Sequence, residues 1–189
     1  MEKEQNLPVN QFSIRAGSVN RLASGVIHQI EKIVVNEHHW IDMLNDLALL
    51  KLSTPLNFTN KVQPIPLNTE ELPADSDIVI SGWGLLISNG PKLPERLQYV
   101  YVKSMSTAEC KKHIGLWNLI IWRQRESILC LKHPKGEGAC QGDSGGPAAH
   151  NGKLVGVTGF VTGIITTCGS RSLMVMQRFH ITLNGLESI

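Results

Sequence analysis

The stretch ACQGDSGGP, residues 139–147, decides how this sequence is read. A serine set between Gly-Asp and Gly-Gly presents its hydroxyl on backbone that side chains do not crowd. Such a serine is a weak nucleophile by itself and needs a general base beside it. Gly142-Asp143-Ser144-Gly145-Gly146 also fits the loose G-x-S-x-G pattern of a nucleophile elbow, which requires a strand before the serine and a helix after it. Here a cysteine-bearing loop precedes Ser144, and Gly-Gly-Pro leads into a further strand, so that reading is set aside. A glycine-rich turn with a chance serine would account for Gly-Asp-Ser-Gly-Gly alone. The rest of the chain must decide.

Outward from this loop the pattern is mostly strand. FSIRAGS (12–18), GVIHQIEKIVV (25–35), LALLKL (47–52), DIVISGWG (77–84), LQYVYVKSM (97–105) and KLVGVTGFV (153–161) are short β-rich runs bounded by Gly, Pro, Asn and Ser. That spacing predicts an all-β barrel or sandwich. Residues 57–75 are polar and carry prolines, as a connector between two halves does. STAECKKHIGLW, residues 106–117, reads as the one helix, with Ser106 and Glu109 placed as a capping box.

Composition excludes several classes. The 189 residues are 42% hydrophobic with a formal charge of +2. No run approaches the roughly 18–20 apolar residues of a membrane helix. Lys111-Lys112 and Arg123/Arg125 are the densest basic spots and read as solvated faces, so no nucleic-acid partner and no membrane are expected. The four cysteines, Cys110, Cys130, Cys140 and Cys168, all lie in the second half and allow three pairings. None has the C-x-x-C spacing of zinc or redox sites, and no metal is expected. Disulfides would imply an oxidising compartment, whereas the opening MEKEQNLPVN is polar and has no apolar signal core.

NDLALLKL (45–52), VQPIPL (62–67), SGWG (81–84) and ACQGDSGGP, in this order and spacing, resemble the chymotrypsin/trypsin family of serine proteases. The resemblance runs from about residue 11 to residue 169. It implies an all-β fold of two antiparallel β-barrels, the first incomplete (1–67) and the second (68–189) carrying the nucleophile, with a divergent tail from about residue 170. It also implies proteolysis without metal or cofactor. Ser144 takes the place of the nucleophile and Asp46 that of the acid orienting a catalytic histidine. The N–H groups of Gly142 and Ser144 match the oxyanion hole, where two donors meet developing charge. Cys110 is expected to pair with Cys130, and Cys140 with Cys168.

The family's specificity-pocket floor lies six residues before the nucleophile, here Gly138. An aspartate there would select Lys or Arg, so its absence argues against a trypsin-like preference, and GEGAC (136–140) looks like insect chymotrypsins. GVTGFV matches the substrate-binding strand. Gly159 stands where the family usually has serine, Phe160 follows, and Val161 stands where it often has glycine. Bulk at Val161 narrows the entrance, which favours apolar residues of medium size. The partners implied are protein or peptide substrates and protease inhibitors, acting on a monomer. Localisation by family and cysteine usage is secreted, where the sequon Asn57-Phe58-Thr59 would be meaningful.

Three departures stand against that pattern. The family's base lies in an Ala-Ala-His-Cys motif, and nothing between Met1 and Asp46 matches it. His38 and His39 belong to the loop leading to the acid, and His28 alternates with strand residues. His113, His133, His150 and His180 read as loop or surface histidines. The Ile-Val-Gly-Gly start, whose amine pairs in the family with the aspartate before the nucleophile, here Asp143, has no match either. Finally, CGSRSLMVMQRF does not continue the family's Pro-Asp-Gly-Tyr pattern. Read from third bases, Met174-Val175 gives Gly and Met176-Gln177 gives Ala, so a reading-frame slip near residues 169–172 would restore a family tail. The expectation is a chymotrypsin-like endopeptidase whose base half is absent from these residues. The rival is a non-catalytic homologue binding protein ligands, for which an intact Gly-Asp-Ser-Gly-Gly has no chemical reason.

Overall fold

The computed structural model describes residues 8–35, 46–114, 128–160, 168 and 174–178. His38, His39, Val161 and His180, and the end of the expected helix beyond Ile114, lie outside them. A 3-10 turn at Val9–Gln11 leads into β1 (Ser13–Ala16), β2 (Val26–Val35) and β3 (Ala48–Leu52). These form an antiparallel three-stranded sheet in the order β1-β2-β3. The remaining strands are β4 (Asp77–Gly82), β5 (Gln98–Ser104), β6 (Ile128–Lys132), β7 (Pro147–His150), β8 (Lys153–Phe160) and β9 (Met174–Arg178). They close into an antiparallel barrel in the order β4-β5-β6-β9-β8-β7.

Alternation sends one face of each barrel strand inward. Ile78 and Ile80 of β4 and Val102 and Ser104 of β5 are buried, while Tyr99, Tyr101 and Lys103 face solvent. The core gathers Ile78, Ile80, Val102, Leu129, Leu131, Ala139, Ala148 and Val155. Each large aliphatic side chain so buried contributes about 1.5–3 kcal/mol. The Ser104 hydroxyl, fully buried, is satisfied: it donates to the Pro73 carbonyl (2.7 Å) and accepts from the Ser76 N–H (2.9 Å).

Three strands escape a reading by period. Ile128, Leu129, Cys130 and Leu131 of β6 are all buried, so β6 shows no alternation. β7 is Pro-Ala-Ala-His, with little β-propensity of its own. β9 lies in the divergent tail, yet its backbone pairs with β6 (Cys130↔Val175) and β8 (Val157↔Gln177). A ladder is built from main-chain groups, which any non-proline residue supplies. The helix α1 (Thr107–Ile114) starts where expected, with the Ser106 hydroxyl accepting from the Glu109 N–H at 3.1 Å.

Two seams join the sheet to the barrel. Val19 and Arg21 exchange backbone hydrogen bonds with Leu97 and Glu95, and the Trp83 indole N–H donates to the Val19 carbonyl. The connector returns along β8, with Leu154 accepting from Asn68 and donating to Pro66 at 2.8 Å each.

Candidate active site

Ser144 sits in the loop between β6 and β7, exposed, on a backbone that only glycine adopts with ease. Gly142 has φ +93° and Gly145 φ +82°, both in the left-handed region that a Cβ disfavours. The Gly142 site is also tight, because a Cβ there would lie 3.3 Å from the Gly84 Cα and from Leu93. The loop is tied to β8 on its far side, where the Gly145 N–H donates to the Thr158 carbonyl and the Thr158 N–H to the Gly146 carbonyl, each at 2.8 Å. Among the described residues, neither the Gly142 nor the Ser144 N–H enters a backbone hydrogen bond with another segment.

Beneath the serine, the Asp143 carboxylate turns into the end of β4. It accepts from the Gly84 N–H at 2.7 Å and the Cys140 N–H at 2.9 Å. Charge-assisted bonds of this kind are among the stronger ones a protein makes. The glycines of Ser-Gly-Trp-Gly make room for it, since a Cβ on Gly82 would come within 2.0 Å of Asp143 Oδ1 and one on Gly84 within 2.4 Å of Asp143 Cγ. A cavity of about 320 Å³ opens beside this carboxylate, with Gly82, Gly84, Tyr99, Gly138 and Thr158 in its wall.

Disulfides join Cys110 to Cys130 and Cys140 to Cys168. The second ties the segment before Ser144 to the described end of the segment after β8. Gly159 falls at an irregularity in the β8–β9 register, between Thr158 and Phe160. Such bulges re-aim strands beside active sites. The Phe160 side chain and Val161 are outside what the structure describes. Asp46 lies just ahead of β3 in the other sheet and is exposed. Ser144 therefore belongs to a loop of the barrel, and Asp46 to the chain entering the three-stranded sheet.

His133, read from the sequence as a loop or surface histidine, lies in the loop after β6 but is only 7% exposed. It follows β6, whose Ile128–Leu131 run is buried, and its ring lies against Gly138.

Comparison with known proteins agrees with this geometry. The family model for trypsin matches residues 5–183. Serine protease SP24D of Anopheles gambiae is 36% identical over 166 residues, which cover 88% of this chain and 56% of that protein. Chymotrypsin-2 of Vespa crabro is 33% identical over 80% of this chain and 66% of its own length. The solved structure of mouse brain neuropsin, a serine protease, superposes with a TM-score of 0.75 at 25% identity, over 89% of this chain and 74% of that one. The chain thus spans less than two thirds of the length of both curated relatives. With its barrel, its Ser144 loop and its match along nearly the whole sequence, the chain belongs to the chymotrypsin/trypsin family of serine proteases.

Proposed function

We propose that the protein to which these residues belong is a secreted serine endopeptidase that cuts polypeptides after apolar residues. In this reading Ser144 attacks the scissile carbonyl and a histidine takes its proton. Asp46 orients that histidine, and the Gly142 and Ser144 amides hold the oxyanion. Gly138, Gly159, Phe160 and Val161 shape the substrate pocket. The observation that carries the proposal is the Ser144 loop: an exposed serine flanked by two positive-φ glycines, with amides at 142 and 144 that enter no backbone hydrogen bond to another segment among the described residues, and a carboxylate braced beside it. The cavity beside Asp143 supports a further step, in which an ammonium group settles against that carboxylate and fixes the loop. Disulfides and the exposed sequon at Asn57 support secretion.

No histidine in the family's base position occurs among these 189 residues. The chain by itself is therefore proposed to bind without turning over, since loss of the base lowers kcat by about 10⁶ in a comparable triad. Labelling with a fluorophosphonate tests the assignment. A full-length polypeptide carrying residues 1–189 should label at Ser144, and S144A should abolish the label. Labelling that persists in S144A would refute the assignment.

A further inference from the structure

Gly138, the pocket floor in the proposed reading, does not stand bare. A Cβ built on Gly138 would lie 3.2 Å from both Cδ2 and Nε2 of His133 and 3.3 Å from Cε1. The direction in which a side chain at 138 would project is thus already occupied by the outer edge of an imidazole. Gly138 itself has φ +123°, a conformation that disfavours any other residue. The backbone yields this place to His133.

The ring's two nitrogens are not equivalent. Nδ1 lies 2.8 Å from the Pro134 carbonyl oxygen, an obligate acceptor, so Nδ1 carries the proton and donates. Nε2 is left as the acceptor of the neutral ring, and it has no hydrogen-bond partner among the described residues. A polar nitrogen on a side chain only 7% exposed, without a partner, is unusual. Most buried polar atoms are paired, and the exceptions ask for a ligand, water or chemical role.

Resting on the proposed endopeptidase reading, in which residue 138 faces the substrate side chain, we propose that His133 is the specificity-determining residue of this pocket, its Nε2 accepting a hydrogen bond from a substrate side chain that has an apolar body and a donor at its tip. Tyrosine has that chemistry, and phenylalanine does not. Discrimination comes from the polar group, because a site built to bond a hydroxyl leaves its own acceptor unpaired when the hydroxyl is missing. The preference is then for a phenol over a plain aromatic or aliphatic group. Gly138 and His133 also form a coupled pair: any side chain placed at 138 must first displace the ring.

Binding of p-cresol and toluene to the disulfide-bonded chain tests this. Neither ligand needs a catalytic base. In the wild type, p-cresol should move the ¹⁵N resonance of His133 Nε2 and toluene should not. The affinity ratio of p-cresol to toluene should fall about fivefold in H133F, the worth of one hydrogen bond. H133Q, which retains an acceptor, should recover part of that ratio. An unmoved Nε2 resonance in the wild type overturns the proposal even if H133F fails to fold, and so does a ratio unchanged in H133F. The endopeptidase reading fails separately, by Ser144 not reacting with fluorophosphonate in the full-length polypeptide.

Discussion

The carboxylate of Asp143 occupies the volume that a side chain at residue 84 would need. A Cβ on Gly84 would meet Asp143 Cγ and Oδ2 at 2.4 Å and Oδ1 at 2.6 Å, while the Gly84 N–H donates to that same Oδ1. The glycine of one motif and the aspartate of the other are a single packing unit. Neither can change alone.

G84A should therefore evict the carboxylate and forfeit its bonds to the Gly84 and Cys140 amides. Overpacking of this kind costs about 1–3 kcal/mol. Equilibrium denaturation of the variant should show a lower midpoint at unchanged slope, and the Ser144 loop should become more susceptible to proteolysis. An unaltered midpoint would mean that the carboxylate has another place to go.

Lys132 holds Asp75 and approaches Glu109, at 2.6 Å and 3.6 Å, so one ammonium links the end of β6 to α1 and to the turn before β4. The hydrogen bond and charge of Lys132 lower the Asp75 carboxyl below its ordinary range, and the Asp75 bond raises Lys132 in turn. The sign follows from linkage. A depressed carboxylate stabilises the fold above its unfolded pKa and loses that contribution as pH falls through the folded value. A raised lysine stabilises below its unfolded pKa and loses the contribution as pH rises through the folded value. Asp75 is 68% exposed, so the effect is small and screened by salt. In K132M, NMR titration should show the Asp75 carboxyl moving up towards its ordinary value. No movement would dismiss the pair.

What could be read from the sequence divides along a physical line. β4 and β5 were legible because each has one wet face and alternates. β6 was hidden because both its faces are buried, and β7 because two alanines carry no pattern. β9 was hidden because its backbone pairs whatever its side chains are. The Asp143–Gly84 unit joins motifs 59 residues apart, and only a resemblance brings them together. The burial of His133 was missed for a different reason. Its ring packs against the open side of Gly138, and that contact leaves no mark on a lone histidine in a chain.

The three-stranded sheet suggests poor colloidal behaviour. Val26 is 61% exposed, and Leu49 and Leu50 are each 46% exposed, on strands that read as core formers. β1 and β3 each pair with β2 alone among the named strands. Open apolar edges are templates for association. The isolated chain should aggregate on concentration, and V26K/L49K should raise its soluble limit with little change in the barrel's melting. A monodisperse wild-type monomer in sedimentation would refute this.

The sharpest test concerns turnover by the chain alone. Ser144 is exposed, and in the proposed reading the Gly142 and Ser144 amides take up the oxyanion. A hydroxyl without a base nonetheless stays protonated and weak. Of the described histidines, His28 is part-buried on β2, His113 is exposed in the last turn of α1, His133 is committed through Nδ1 to Pro134, and His150 donates through Nδ1 to the Asp77 carbonyl at 2.6 Å. With a p-nitrophenyl ester titrant, residues 1–189 should give no stoichiometric burst, and the slow release should be the same in S144A. A burst that S144A abolishes would show that these residues do supply a base, and H38A and H39A would then locate it, since both precede Asp46 by a few residues in the sequence. Peptide substrates ending in Phe, Leu or Tyr should likewise show no Ser144-dependent cleavage. Joined to a segment that brings a histidine against Asp46, the same Ser144 should acylate.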